Sequence, residues 1–409
     1  MKVRIHRGTH EIGGTCVELE QDGSRIALDL GLPLDGDPRD KSLMPAMDNS
    51  DLACVLISHP HIDHYGLLHH QPAGVPVAIG QAARRIIEAA APFTKQSLPS
   101  LSGHELVDRQ ALEIGPFTIT PYLVDHSAFD AYALLVEAGG KRLFYSGDFR
   151  GHGRKSALFE RLVTAPPKDI DVLLMEGSSL SRLGSDKTFP TERDLESMLT
   201  DRLQMTDGLV MAHVSAQNID RVVTLYRAAK KAGRTLIIDL YAAAILEATL
   251  HDSIPQSHWD SIALYVPDYQ RRQIKRLEMF ELLKRHSANR IYVEDLQSLA
   301  KRAVLLFRPA MMDDLETAGC LGGAHFIYGQ WEGYLARGDY AMLPAWLDKH
   351  GIPLEHIHTS GHASPRDLQR FAKALHPKVL VPIHTFEPGV YPDLFDHVVL
   401  REDGEWWDI

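Results

Sequence analysis

The chain has 409 residues, with 54 acidic against 43 basic side chains, so its formal charge is −11 when histidines are neutral. It is 44% apolar and 24% charged, which excludes disorder, collagen and a disulfide mini-protein and leaves two or three globular domains. No apolar run approaches the ~20 residues of a membrane span, and Cys16, Cys54 and Cys320 are scattered without a CxxC, so reduced thiols in the cytoplasm are expected.

The first 150 residues read mainly as strands, at 3–7, 15–20, 25–30, 53–58, 118–123, 132–137 and 142–146, with a helix near 80–91. Another buried strand is expected at 171–175. After Gly177 a loop leads to a helix at 192–205, with Thr191 as its cap. Strand and helix then alternate at 209–213, 218–231, 235–239 and 242–250, which predicts a parallel sheet covered by helices. Strand texture returns at 354–358 and 378–382, around a helix at 365–375, and a last hairpin is expected near 398–407. The expected domains are 1–176, 177–350 and 351–409, the first and last forming one unit. The middle block carries a net charge of −1 and the remainder −10. Within it, Arg271, Arg272, Lys275, Arg276, Lys284, Arg285 and Arg290 form a basic run. A solvated helix face is the plainer reading of that run, and a phosphate-backbone contact is the other.

Histidine is the unusual residue. There are 22, and three of them with one aspartate fall within six positions in Ser58-His59-Pro60-His61-Ile62-Asp63-His64. This segment follows an apolar strand. Neutral imidazole and carboxylate suit Zn²⁺ or Mn²⁺. His59 and His61 can serve one ion while Asp63 and His64 serve a neighbour, but four ligands do not complete two ions. His126, Asp148 and His384 each follow another expected strand and are candidates for the rest.

The pattern His59-x-His61-x-Asp63-His64, with His126, Asp148 and His384 downstream, resembles the metallo-β-lactamase superfamily. That resemblance implies an α/β fold, an αββα sandwich with a dinuclear site at the edge of two sheets. It implies His59, His61 and His126 on one ion, Asp63, His64 and His384 on the other, and Asp148 between them. Asp29 matches the early strand-end aspartate, with a supporting role in orienting a ligand. Asp148 and His384 are separated by more chain than one compact site needs, so an α/β cap must be inserted between them. Glu176 before that insertion, the string Thr359-Ser360-Gly361-His362-Ala363-Ser364 after it, and His384 look like the signature positions of the β-CASP group, most of all ribonuclease J. His213-Val214-Ser215-Ala216-Gln217-Asn218 and His10-Glu11-Ile12-Gly13-Gly14-Thr15 strengthen that likeness. The resemblance stops short of the C-terminal domain that ribonuclease J carries.

The resemblance implies a metal-dependent nuclease, acting on single-stranded RNA or DNA with two divalent ions, Zn²⁺ first and Mn²⁺ second. Asp63, His362 and Glu176 are the expected catalytic residues, His362 stabilising charge or protonating the leaving oxygen and Glu176 orienting it. His358, Ser360, Gly361, Ser364, His213, Ser215 and Asn218 are expected around the substrate, the last three as a phosphate contact at a helix N-terminus. A homodimer fits this class, and no membrane partner is expected. Two rivals remain: a small-molecule hydrolase (of a cyclic phosphodiester, thioester or lactone) on the same metals, and a non-catalytic RNA-binding scaffold.

Overall fold

A computed structural model describes residues 1–48, 51–94, 97–180, 182–184, 186–335 and 340–409. The chain divides into two compact units, 1–189 with 361–409, and 190–360.

The first unit is built on two sheets. One runs, edge to edge, Trp406–Asp408, Lys2–Arg7, Cys16–Gln21, Ser24–Leu28, Leu52–Leu56, Val77–Gly80 and Gly103–Leu106. The other runs Val379–Pro382, Val172–Met175, Lys141–Tyr145, Tyr132–Ala138, Phe117–Leu123 and Leu112–Ile114. Side chains alternate across each strand, and the sequence uses both faces. Val17, Leu19, Ile26, Leu28, Leu134, Val136, Leu143 and Tyr145 meet in a core between the sheets. On the outer face of the first sheet, Cys16, Ala27, Val55 and Val77 pack on Ala83 and Ile87 of the helix Gln81–Ala90. Behind the second sheet, Ala133, Leu135 and Phe144 pack on Phe159 of Ser156–Thr164 and Phe371 of Pro365–Leu375. The result is the αββα sandwich.

Strand direction positions the site. Ser24–Leu28 and Leu52–Leu56 are parallel. Lys141–Tyr145, Val172–Met175 and Val379–Pro382 are mutually parallel. Phe117–Leu123 shares their direction, because it and Lys141–Tyr145 are each antiparallel to Tyr132–Ala138. Within each sheet, then, the residues that follow these strands emerge along a single edge.

The second unit has one seven-stranded sheet, in the order Arg290–Ile291, Ile262–Tyr265, Thr235–Ile238, Ala303–Leu306, Val210–His213, His325–Tyr328 and Leu354–His356. All its pairings are parallel. The helix Glu192–Met205 starts with a reciprocal capping box between Thr191 and Asp194. Arg221 is fully buried, paired with Glu192 at 3.1 Å and donating to the Gly329 carbonyl at 2.9 Å.

Three details differ from expectation. The unit boundaries fall at 189/190 and 360/361 instead of 176/177 and 350/351. The reason is hydrogen bonding: Leu354–His356 pairs with His325–Tyr328 and so joins the second unit's sheet. The expected terminal hairpin near 398–407 is absent. Trp406–Asp408 instead pairs with Lys2–Arg7 at the N-terminus, which buries Trp407 beside Val3. Strands Val77–Gly80, Gly103–Leu106 and Leu112–Ile114 went unread because they are short and lack a clear alternation. The basic run lies on the helices Asp268–Arg276 and Phe280–Arg285, except for Arg290, which opens the strand Arg290–Ile291. Arg271 and Arg272 pair there with Asp268, and Arg285 with Glu247, as a solvated face does.

Candidate metal centre

The strand ends bring seven side chains into two groups, one of His59, His61 and His126, the other of Asp63, His64, Asp148 and His384. The potential ligand atoms of each group lie within 4.8 Å of one another. Asp148 is central. Its Oδ2 is 3.7 Å from His59 Nε2, 3.2 Å from His64 Nε2 and 3.6 Å from His384 Nε2. Asp63 Oδ2 lies 3.9 Å from both His64 Nε2 and His384 Nε2. His61 Nδ1 and His126 Nε2 face each other at 3.1 Å.

Local backbone makes this convergence feasible. Asp63 and His64 lie on the short helix Ile62–Tyr65, whose His64 and Ile62 carbonyls accept from the Leu30 and Leu32 amides. The helix sits so close to the Asp29 loop that a Cβ on Gly31 would come within 1.8 Å of the Asp63 carbonyl oxygen. Only glycine fits there. Asp29 and His384 both adopt left-handed backbone, with φ of 59° and 53°, a conformation that costs energy away from glycine. Both sit at strand ends, where it turns the side chain into the site.

The histidine tautomers follow from the partners. His64 Nδ1 is 2.7 Å from Asp29 Oδ2, so it carries the proton and leaves Nε2 a bare lone pair. His384 Nδ1 is engaged by Thr15 Oγ1 at 2.8 Å and by the Gly13 amide at 3.4 Å, so Nε2 is the nitrogen turned to the site. The Nε2 atoms of His59, His64 and His384, and both Asp148 oxygens, are buried with no hydrogen-bond partner among the described residues. Buried polar groups are rarely left so. Imidazole lone pairs aimed at a carboxylate across 3.2–3.7 Å repel unless a cation lies between them.

The electrostatics agree. Burial pushes His59 and His126 well below the ordinary histidine range and His61 down to about 4, so these rings are neutral and free to ligate. Burial would do the same to His64, but Asp148, Asp29 and Asp63 outweigh it and hold His64 well above that range. The second group thus attracts positive charge, by a proton if by nothing else. The donor set, the orphaned atoms and the charge all fit two divalent cations of the Zn²⁺ or Mn²⁺ kind.

Beside them lies a third group, Asp148, Glu176 and His362. His362 Nδ1 is 3.1 Å from Glu176 Oε2 and 3.6 Å from Asp148 Oδ2. Burial lowers the affinity of His362 for a proton, but the two carboxylates more than offset this and raise it. Glu176 is fixed in turn by the Phe149 and Ser178 amides and by the Ser178 hydroxyl at 2.9 Å.

The expected substrate residues separate into different situations. Gly361 belongs with the site: a Cβ there would press on Ser127 Oγ at 2.7 Å and approach the His126 ring at 3.6 Å. Ser364 is fully buried and caps the helix Pro365–Leu375, exchanging hydrogen bonds with Asp367, so its hydroxyl is occupied. His213, Ser215, Asn218, His358 and Ser360 belong to the second unit. His213 was expected at a phosphate contact, but it is buried with Nδ1 on the Phe307 carbonyl and Nε2 beside Tyr340 and Gln330. Burial pushes it down to about 4, so it offers neither charge nor a spare nitrogen to an anion. Asn218 is the cap of the helix Ile219–Lys231, accepting from the Arg221 amide. Ser215 is exposed and accepts from the Gln217 amide. His358 bonds the Gly329 carbonyl at 3.0 Å and is pushed down to about 3 by burial. Ser360 is buried.

Sequence reasoning passed over four hydroxyl groups of this centre: Ser58, Tyr145, Thr15 and Ser178. Ser58 Oγ and Tyr145 Oη both donate to Asp29 Oδ2, at 2.7 and 2.6 Å. Adjacency to the ligand run was the only signal for Ser58.

Comparisons with known proteins agree with this geometry. Residues 36–192 match the β-lactamase superfamily domain. Ribonuclease J of Sinorhizobium meliloti is 22% identical over 83% of this chain and 58% of its own length. Ribonuclease J of Mycoplasma genitalium is 21% identical over 94% of this chain and 67% of its own. The chain thus spans about three fifths to two thirds of the length of these relatives. A crystal structure of a protein of unknown function from Enterococcus faecalis V583 superposes with a TM-score of 0.81 at 22% identity, covering 99% of both chains. Fold, ligand pattern and relatives together support a metallo-β-lactamase-fold protein that resembles the β-CASP ribonucleases J.

Proposed function

We propose that the protein is a metal-dependent phosphodiester hydrolase acting on single-stranded nucleic acid, with RNA as the preferred substrate. The observation that carries this reading is the set of buried, unpartnered nitrogen and oxygen atoms at the strand ends. The likeness to two ribonucleases J gives the substrate class.

His59, His61 and His126 would hold one ion and Asp63, His64 and His384 the other, with Asp148 facing both. Two divalent ions so bound supply Lewis acidity and positive charge beside a scissile phosphate, Zn²⁺ being our first choice and Mn²⁺ the second. The chain's own residues do the rest. Asp63 has a partly open side chain, 17% exposed, and faces an incoming substrate. His362, whose hold on a proton Glu176 and Asp148 strengthen, is the candidate to give a proton to the leaving oxygen. Glu176 acts through His362 and is a positioning residue. The Gly361–His362 turn brings the phosphate against the His126 side of the site.

We place the protein in the cytoplasm, in keeping with three buried, separate thiols. Among the described residues, no helix is long and apolar enough to cross a membrane. A homodimer is compatible with this reading.

The test is cleavage of a 3′-labelled single-stranded RNA with a 5′-monophosphate, beside DNA of the same sequence, with Zn²⁺ or Mn²⁺ added and Asp63→Ala as control. Metal-dependent loss of RNA, absent in the variant, is the expected result. Release of mononucleotides means an exonuclease and internal fragments an endonuclease. Metal-loaded protein that cleaves neither polymer would overturn the reading in favour of a small-molecule substrate.

A further inference from the structure

Asp29 is saturated. Its Oδ1 accepts from the Ser58 amide at 2.7 Å, and its Oδ2 accepts from Ser58 Oγ at 2.7 Å, His64 Nδ1 at 2.7 Å and Tyr145 Oη at 2.6 Å. All four residues are fully buried or within 1% of it. A serine hydroxyl has a single proton. That of Ser58 is directed to Asp29, so toward His59 Nδ1, 3.0 Å away, Ser58 Oγ can only accept. His59 must then carry its proton on Nδ1, and Nε2 is left bare toward Asp148. One carboxylate therefore fixes a ligand in each group: His64 directly, His59 through Ser58.

We propose that Tyr145 and Ser58 are positioning residues that set the affinities of the two metal sites separately, through Asp29. Tyr145 holds the Asp29 carboxylate from the opposite sheet, where it follows Phe144 at the end of Lys141–Tyr145. Removing its hydroxyl loosens Asp29 and acts first on the His64 group. Removing the Ser58 hydroxyl takes one donor from Asp29 but leaves the Ser58 amide, Tyr145 and His64 bound to it, so its main effect is to release the tautomer of His59. The inference rests on the two-ion reading above. Outer partners of metal-bound histidines typically govern ~10–100-fold in affinity.

The experiment is a Zn²⁺ titration of the full-length apo protein against a chromophoric chelator, for wild type, Tyr145→Phe and Ser58→Ala, repeated with Co²⁺ to follow each site by its absorption bands. Thermal unfolding of each apo protein is measured alongside. In Ser58→Ala, the His59 site weakens by ~10-fold or more while the His64 site changes by less than about threefold. In Tyr145→Phe, the His64 site weakens by ~10-fold, with a smaller loss at the other. Unchanged affinities with a lowered apo unfolding temperature would make both hydroxyls purely structural and overturn the proposal. Equal losses at both sites in Ser58→Ala would overturn the separate control. A wild-type protein that binds fewer than two ions would instead remove the two-ion reading, and this inference with it. Should Tyr145→Phe fail to fold, Ser58→Ala decides alone.

Discussion

Both units set polar residues at the carboxyl ends of parallel strands, yet they finish them in opposite ways. In the sandwich, His59, His64 and His384 each have one ring nitrogen engaged and the other bare. In the inserted unit, His213 has both ring nitrogens engaged, and Asn218 and Asp239 cap the helices that follow their strands. The same topology therefore yields a candidate metal site in one place and a self-satisfied scaffold in the other. What differs is whether neighbouring groups use up the last lone pair. A histidine count does not distinguish them, and a hydrogen-bond account does.

The comparison can be broken most sharply at Asp148. Asp148→Ala should abolish nucleic-acid cleavage, by at least ~10³-fold if the two-metal mechanism holds, and reduce bound metal below two ions per chain by elemental analysis. Full activity in that variant would remove the dinuclear site. Removing metal from the wild type should destabilise it, because ions bind the fold and not the unfolded chain. Each ion present at 100 times its dissociation constant adds about 2.7 kcal/mol, so calorimetry should show a fall in melting temperature with chelator that is restored by Zn²⁺. A smaller fall is expected on chelation of Asp148→Ala, in proportion to the metal it has lost.

A pH experiment sharpens the contrast from the other side. His213 titrates near about 4 in the fold and near 6.5 when unfolded. Between these values the unfolded chain binds the extra proton. Stability is therefore complete above pH ~6.5 and is lost as pH falls toward 4, by on the order of 3 kcal/mol from this residue. His358, pushed down to about 3, acts in the same direction. His64 and His362, both raised, act in the opposite one. Subtracting the His213→Gln curve from that of the wild type isolates the first effect in apo protein. Equal pH slopes would refute a buried neutral His213, and bound metal should be unchanged. The smallest effect is expected at the capping box. Thr191→Ala should cost about 1 kcal/mol, seen as a shift of a few degrees in unfolding, with metal content and cleavage unaltered.

Much of the candidate centre was legible because its candidate ligands are coded locally. His59 to His64 occupy one turn after a strand, and His126, Asp148 and His384 each follow a strand that alternation reveals. Glu176 and His362 were readable through the strings around them. The supporting hydroxyls were not. Tyr145 reaches Asp29 across 116 positions of sequence, and Thr15 reaches His384 across 369. Serines, threonines and tyrosines are common, and nothing local says which way a hydroxyl points. His213 was misjudged for the same reason, since its partners Phe307, Gln330 and Tyr340 come from distant segments.

Which residue types follow each strand could be read along the chain, because strand alternation and the spacing of His59 to His64 are short-range properties, while the sandwich and the completed set of candidate ligands were implied by the family resemblance. Only the tertiary structure decided the partner of each lone pair, the tautomer of each histidine and the sheet that 354–356 joins. Those depend on directions in space between segments far apart in sequence, fixed when the sheets pack and pair.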